Sequence, residues 1–273
     1  MKTIEVNDIH IGNDLPFVLI AGLNVLEDEK TIETVISKCI ESSKAQNIPY
    51  IFKASYDKAN RSSIDSYRGP GVERGLTILS ELKKDYEVPV ISDVHTPREA
   101  ELAANVLDII QIPAFLSRQT DLIEAACSTS LPLNIKKGQF LGPSDMSNIL
   151  KKCSHFKNDN IKICERGTSF GYHNLVVDML GVVELKKTNS PIVFDVTHSL
   201  QRPGGLGDRA DGRGSSVFEL ARAGMSLGLA GLFLETHPNP ENALCDGPCA
   251  LHLEDLDSFL NEIKCLDNLI KSF

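Results

Sequence analysis

The chain has 273 residues, with 28 basic and 37 acidic side chains and a formal net charge of −9. That balance excludes a broad nucleic-acid surface, which needs a basic excess or a concentrated basic stripe. It leaves room for a small basic pocket facing an anionic metabolite. The length is close to the roughly 250 residues of one (β/α)₈ barrel, and 42% hydrophobic residues suffice for a core without disulfides or structural metal.

In chain order, residues 1–16 stand apart. Ile4/Val6 and Ile9/Ile11 flank a polar turn, the pattern of a small N-terminal β-hairpin suited to plugging the bottom of a barrel. The start, Met1-Lys2-Thr3-Ile4-Glu5, lacks the basic-then-apolar pattern of a signal peptide. No uncharged apolar run is long enough to cross a bilayer, so a cytoplasmic protein without membrane or nucleic-acid partners is expected.

Eight short runs rich in Val, Ile, Leu and Phe then read as strands: Phe17–Ala21, Tyr50–Ala54, Val88–Asp93, Val106–Ile112, Leu133–Lys136, Ile161–Cys164, Ile192–Asp195 and Gly231–Glu235. Their nearly continuous apolar character suits parallel strands covered by helices. Helical spacing fills the gaps, over Glu29–Gln46, Gly71–Lys84, Pro97–Asn105, Arg118–Ser128, a stretch opening at Pro143, Leu175–Lys187, Ser215–Leu227 and Leu253–Ile270. This alternation runs without a linker and predicts an α/β fold, one (β/α)₈ TIM-barrel domain over 1–273. The competing open doubly wound sheet lacks its marks, since no GxGxxG follows the first strand and no GxxxxGK[ST] occurs.

The seven cysteines form no CxxC pair and are odd in number, the usage of reduced thiols in the cytosol. Cys245 and Cys249, four apart beside a His/Glu segment, leave a metal site open there.

The catalytic face of a TIM barrel lies at the C-terminal strand ends. Those positions hold Asn24; then Lys53, Ser55, Lys58, Asn60, Arg61 and Ser62; Asp93 and His95; and Gln111, leading to Ala114. Lys136 and Lys137, Glu165 and Arg166, Asp195 and His198, and Glu235 and His237 follow, with Asp246 close behind. Any one of these can be structural, because a strand-end Asp often bonds a loop and a Lys often reaches solvent. Their conjunction is harder to dismiss, since buried charges cost severely unless paired or met by a charged ligand. In an acidic protein, Lys53, Lys58, Arg61, Lys136 and Arg166 aimed into one mouth imply an anion with two phosphates, or a phosphate and a carboxylate.

Residues 202–214 hold five glycines among charged side chains. They read as a flap that excludes water after binding, against the plainer reading of a surface loop. His198, Glu235 and Asp246 would make an O/N metal set if they converge, but Asn24 beside them is a poor replacement for a thiolate. On the residues alone, metal dependence stays open.

Longer motifs then carry a resemblance. Ala21–Glu27, Phe52–Ser63, Ser66–Gly71, Ser92–His95, Gln111–Asp121, Arg166–Tyr172 and Phe194–Ser199 stand in the expected order. From about Phe17 to the C-terminus, the chain closely resembles the 3-deoxy-D-manno-octulosonate 8-phosphate synthase family, relatives of the 3-deoxy-7-phosphoheptulonate synthases. The resemblance implies condensation of phosphoenolpyruvate with D-arabinose 5-phosphate, releasing inorganic phosphate and feeding lipopolysaccharide synthesis. It implies phosphoenolpyruvate against Lys58, Lys136, Arg166 and the backbone near Ala114, with the sugar phosphate outward at Asn60, Arg61 and Ser62. Lys53, Ser55, His95, Gln111 and Glu235 complete the expected substrate-binding set. Asn24, Lys58, Asp93, His198 and Asp246 are expected to be catalytic, His198 and Asp246 in water activation or proton traffic.

Arg118 would come from a neighbouring subunit of a homotetramer. In this family a metal-requiring branch has Cys where this chain has Asn24, so the resemblance implies no cofactor and no metal. Gln201-Arg202-Pro203-Gly204-Gly205 looks more like the metal-dependent branch, and Ala210-Asp211-Gly212-Arg213 departs from the usual Ser-Gly-Gly-containing pattern. The nearest rival is the synthase using erythrose 4-phosphate; a non-catalytic metabolite-binding barrel or a scaffold fits the polar ring poorly.

Overall fold

A computed structural model describes residues 2–207 and 210–273; Met1, and Asp208 and Arg209 of the expected flap, lie outside the described residues. The hairpin falls where the sequence places it: β1 (Ile4–Val6) pairs antiparallel with β2 (Ile9–Ile11). Asn7 supplies the turn at φ 50, a conformation Asn tolerates better than most residues.

The barrel strands are β3 (Val18–Val25), β4 (Tyr50–Ser55), β5 (Val90–Asp93), β6 (Ile109–Ile112), β7 (Leu133–Lys136), β8 (Ile161–Glu165), β11 (Ile192–Asp195) and β14 (Gly231–His237). All pair in parallel, and β11 closes the ring against β14. Two short ribbons follow strand ends: β9 (Thr168–Ser169) with β10 (Leu175–Val176), and β12 (Gln201–Arg202) with β13 (Asp211–Gly212). A last short strand, β15 (Leu251–His252), extends β14.

The connecting helices are α1 (Glu29–Ala45), α2 (Val72–Tyr86), α3 (Pro97–Ala103), α4 (Thr120–Ser128), α5 (Met146–His155), α6 (Met179–Lys186), α7 (Val196–Ser199), α8 (Val217–Met225) and α9 (Leu256–Ile270). Side chains fix their starts. Asp28 accepts from Thr31 N at 3.0 Å, and Thr96 accepts from Glu99 N at 3.2 Å ahead of Pro97, satisfying N–H groups that a helix leaves open.

Two expected boundaries are corrected. Leu175 and Val176 pair with Ser169 and Thr168 as a strand, and α6 starts only at Met179, where Asp178 accepts from Leu180 N at 3.0 Å. The strand expected from Val106 begins at Ile109, because Val106 N and Leu107 N both still bond Ala103 O at the end of α3.

Alternation sorts the side chains. Leu19, Phe52, Ile110, Ile135, Ile163 and Phe194 face the helix layer, whereas Val18, Ile20, Ile51, Ile91, Ile109 and Val193 fill the barrel with the hairpin's Ile4, Val6 and Ile11. The hairpin is therefore a plug. Asn13 clips the chain behind it, donating to Ser190 O at 3.1 Å and accepting from Ile192 N at 2.9 Å. Asn13→Ala leaves both backbone groups buried without partners, and we expect a loss of about 1–3 kcal/mol. An unchanged urea midpoint would remove the clip from the account.

Candidate active site

The mouth is built from the second half of each strand, where apolar residues give way to charge. Asp195, at the end of β11, accepts from His198 N at 2.9 Å and so starts the single turn of α7. Its Oδ2 lies 2.8 Å from His198 Nδ1 and accepts from Lys136 Nζ at 2.6 Å. Nδ1 is thereby the donor to Asp195, and Nε2 turns toward Glu235 Oε1 at 3.6 Å and Asp246 Oδ2 at 3.9 Å. His198, Glu235 and Asp246 converge on one corner of the mouth.

Asn24 stands among those three. Its Nδ2 donates to Glu235 and, at 3.0 Å, to Asp246, and lies 3.5 Å from His198 Nε2. An amide that donates to both carboxylates occupies the space a cation would take. Cys245 and Cys249, the other metal expectation, are buried thiols. Burial pushes both well above the ordinary thiol range, and a thiol held protonated is a poor ligand. Among the described residues, no group of three or more His, Cys, Asp or Glu is arranged to hold a metal ion.

A second knot lies beside the first. Lys53 Nζ donates to Glu235 Oε1 at 2.7 Å and to the backbone oxygens of Asn24 and Leu23 at 2.9 and 3.3 Å. Asp93 accepts from Ser55 and Gln111 and faces Lys58 Nζ at 3.8 Å. Burial alone would raise the Asp93 and Asp195 carboxyls. The groups around them outweigh it, Lys58 and Lys53 for the first and His198 and Lys136 for the second, and hold both well below the usual range. Glu235 falls to about 2 because His198 and Lys53 similarly outweigh its burial. Burial brings Lys53 down to about 8, against the pull of Glu235. Lys58 also feels burial, yet Asp93 and Glu235 keep its ammonium above its ordinary value.

Arg166 differs from the paired cations. It is buried, its Nη2 donates to Gln201 Oε1 at 2.6 Å, and its Nη1 has no partner among the described residues. Above it opens a cavity of about 820 Å³, lined by Lys58, Arg166, His198 and Asp246 within and by Asn60, Arg61 and Ser62 outward. The structure thus brings together Asn24, Lys53, Lys58, Asp93, Lys136, Arg166, His198, Glu235 and Asp246.

Ser55 and Gln111 are wholly buried, with their side chains on Asp93. They brace that carboxylate beneath the cavity. His95 turns to Glu99, with Nδ1 at 3.0 Å from Oε2. Ala114 is buried in the turn after β6, where its oxygen accepts from Ser117 Oγ at 2.9 Å. Arg118 is exposed and outside the cavity.

The flap begins and ends in an ordered ribbon. Arg202 and Asp211 are 3.6 Å apart, and Gly212 packs so tightly that a Cβ would come 2.4 Å from Cys249 Sγ. Sequence reasoning missed Gln201 and Gln139, which line the cavity. Gln139 sits three residues past the expected end of the fifth barrel strand, in the loop that Lys136 leads into. Glu27 also went unnoticed. It accepts from Leu244 N at 3.1 Å and lies 3.4 Å from His237 Nε2, tying down the loop that carries Asp246.

Fold and site together define a barrel enzyme for small, multiply anionic substrates. The chain belongs to the DAHP synthetase I family, whose model matches residues 1–272. Among curated relatives, a 2-dehydro-3-deoxyphosphooctonate aldolase of Psychromonas ingrahamii is 57% identical over 272 residues, covering 100% of this chain and 97% of the relative. Proteins of the same name from Pseudomonas paraeruginosa and Shewanella amazonensis are 57% and 55% identical, again over 100% of this chain and 97% of each relative.

Proposed function

We propose that this chain condenses phosphoenolpyruvate with D-arabinose 5-phosphate and water, giving 3-deoxy-D-manno-octulosonate 8-phosphate and inorganic phosphate for lipopolysaccharide precursor synthesis. The observation that carries this reading is a cavity with a free, buried guanidinium at its floor and a second cationic group, Arg61, at its rim. Two separate cationic groups in one cavity suit two phosphorylated partners. An octonate product has eight carbons, as the relatives' names have it, and a three-carbon enolpyruvate then needs a five-carbon aldose. Erythrose 4-phosphate would give seven.

Lys58, Lys136 and Arg166 hold the enolpyruvate carboxylate and phosphate, with the backbone at Ala114 beside them. Asn60, Arg61 and Ser62 hold the sugar phosphate. C3 of the enolpyruvate attacks the aldehyde carbon, and positive charge develops at C2, where Asp93 and Glu235 steady it. Water adds at C2, its proton taken through His198 and Asp246. The phosphohemiketal then expels phosphate by C–O cleavage. Asp195 keeps His198 in one tautomer throughout, and Asn24 orients the aldehyde or the water. The ribbons over the mouth keep other water from the cationic centre.

Phosphoenolpyruvate supplied with each aldose phosphate in turn tests the reading, with phosphate release and product mass as readouts. Arabinose 5-phosphate should be consumed and erythrose 4-phosphate should not. In water enriched in oxygen-18 the label should enter the sugar acid; label in the phosphate would overturn the cleavage scheme. The reaction proceeds without a divalent metal in this reading, because the Asn24 amide donates to the carboxylates that a metal would need. Full activity is expected after exhaustive chelation, and a loss restored by one divalent metal would reverse that assignment.

Arg118 is exposed and outside the chain's own cavity, which supports its serving a neighbouring subunit's sugar phosphate within a homotetramer. Sedimentation of a tetramer, and loss of arabinose 5-phosphate affinity in Arg118→Ala, are the expected results. A cytoplasmic location belongs to the same proposal; no helix among the described residues is long and apolar enough to cross a membrane.

A further inference from the structure

Inside the barrel, below the reacting groups, lie three side chains that take no part in the chemistry above: Lys162, Asn134 and Cys164. Leu133 and Ile135 of β7, and Ile161 and Ile163 of β8, belong to the helix-facing core. Alternation therefore turns Asn134, Lys162 and Cys164 inward. Asn134 and Lys162 are register partners on adjacent strands and are fully buried. Each keeps one atom without a hydrogen-bond partner, Oδ1 of Asn134 and Nζ of Lys162. One is an acceptor and the other a donor, on neighbouring strands with no direct hydrogen bond between them. A bridging water suits that geometry.

Among the described residues, Lys162 has no counter-ion. The one titratable group acting on its amine is the Cys164 thiol of its own strand, and burial brings the amine down to about 7. Beneath lie the apolar Ile4, Val6 and Ile11 of the plug. The charged groups Lys136 of β7, Arg166 past the end of β8 and Asp195 of β11 stand at strand ends, at the level of the mouth.

From Asn134 upward, the bonding has a forced direction. A carboxylate only accepts, so Gln111 must present its Nε2 to Asp93 Oδ1. Gln111 Oε1 must then accept, and it does so from Asn134 Nδ2 at 2.7 Å. The oxygen of Asn134 is thereby turned down toward Lys162. Asp93 meets Ser55, Lys58, Lys53, Lys136 and His95 on its other sides. A buried amine without a partner costs stability, and proteins tolerate such costs chiefly at functional sites.

We propose that Lys162 and Asn134, joined by one internal water, are positioning residues for Asp93, the foot of a donor series that holds this carboxylate in its working orientation. The inference rests on the proposed reaction, in which Asp93 faces the charged centre at C2.

Lys162→Met tests it, because methionine fills similar space without a polar head. Removing the amine should raise Tm by about 2–4 °C and lower kcat about tenfold, with KM for both substrates within about twofold. Asn134→Leu should also lower kcat, and the double variant should be no slower than Asn134→Leu alone, since the two residues act in series. A Lys162→Met enzyme with unchanged kcat, whatever its Tm, overturns the proposal. So do kcat losses that multiply in the double variant.

A high-resolution crystal structure of the wild type should show one water between Lys162 Nζ and Asn134 Oδ1; its absence also overturns the proposal. If the wild type makes no product from the named substrates, the functional reading fails. The water and the Tm of Lys162→Met then still decide whether the series has its foot there.

Discussion

Replacing Arg166 with methionine is expected to lower kcat/KM by about a thousandfold without lowering the unfolding temperature. Most buried cations at the mouth are tied to protein carboxylates, Lys53 to Glu235 at 2.7 Å and Lys136 to Asp195 at 2.6 Å. Arg166 has no carboxylate within 4.0 Å among the described residues, and its Nη1 has no partner. Burial presses its guanidinium below its ordinary value, with Asp195 and Asp246 opposing from farther off. Such a group is costly to the empty fold and valuable to a bound anion. Truncating one partner of a buried charge pair costs about 2–5 kcal/mol, and a loss of about 4 kcal/mol is about a thousandfold.

Lys136→Met provides the contrast. It strips Asp195 of its nearest ammonium, so both activity and about 3–5 kcal/mol of stability should go. Steady-state kinetics and thermal unfolding of the two variants side by side make the check. Equal destabilisation by both would mean that Arg166 is a structural cation.

The barrel was legible because its strands are buried on both sides and hence continuously apolar. β7 and β11 fall where the apolar runs predict them. Elsewhere the pattern could not separate strand from helix end. Val106 and Leu107 are apolar because they pack at the close of α3, and Leu175 because it is buried in a two-residue ribbon. The polar ring was legible because charge at a strand's end needs a reason. Its internal division was not, because pairing is set between strands distant in sequence. Nothing in the order of residues says that Gln111 serves Asp93 and that Arg166 stands free. Lys162 and Asn134 were hidden for another reason: each is the second residue of its strand, remote from the C-terminal ends where a barrel's reacting groups stand.

Gly22→Ala is expected to abolish most activity and to cost about 3 kcal/mol of stability, a severe case of overpacking. A Cβ at this position would lie 2.1 Å from Lys53 O and 3.0 Å from the Phe52 ring. Both neighbours are fixed, one as backbone of β4 and the other as core. The register between β3 and β4 slips between Gly22 and Val25, and Lys53 staples the slipped stretch by donating to Leu23 O and Asn24 O. Forcing β3 off β4 would therefore displace Asn24 and Lys53 together, and with them the contacts of both to Glu235. A misplacement of about 1 Å in such a constellation costs about a hundredfold in rate.

Gly71→Ala makes the control. Its φ of +84 is also unfavourable for alanine, but no atom lies within 4 Å of the new Cβ, so only about 1 kcal/mol of backbone strain is at stake. Urea midpoints and kcat/KM for the two variants should diverge sharply. If Gly22→Ala behaves like Gly71→Ala, the close approach of the two strands is not what holds Asn24 in the site.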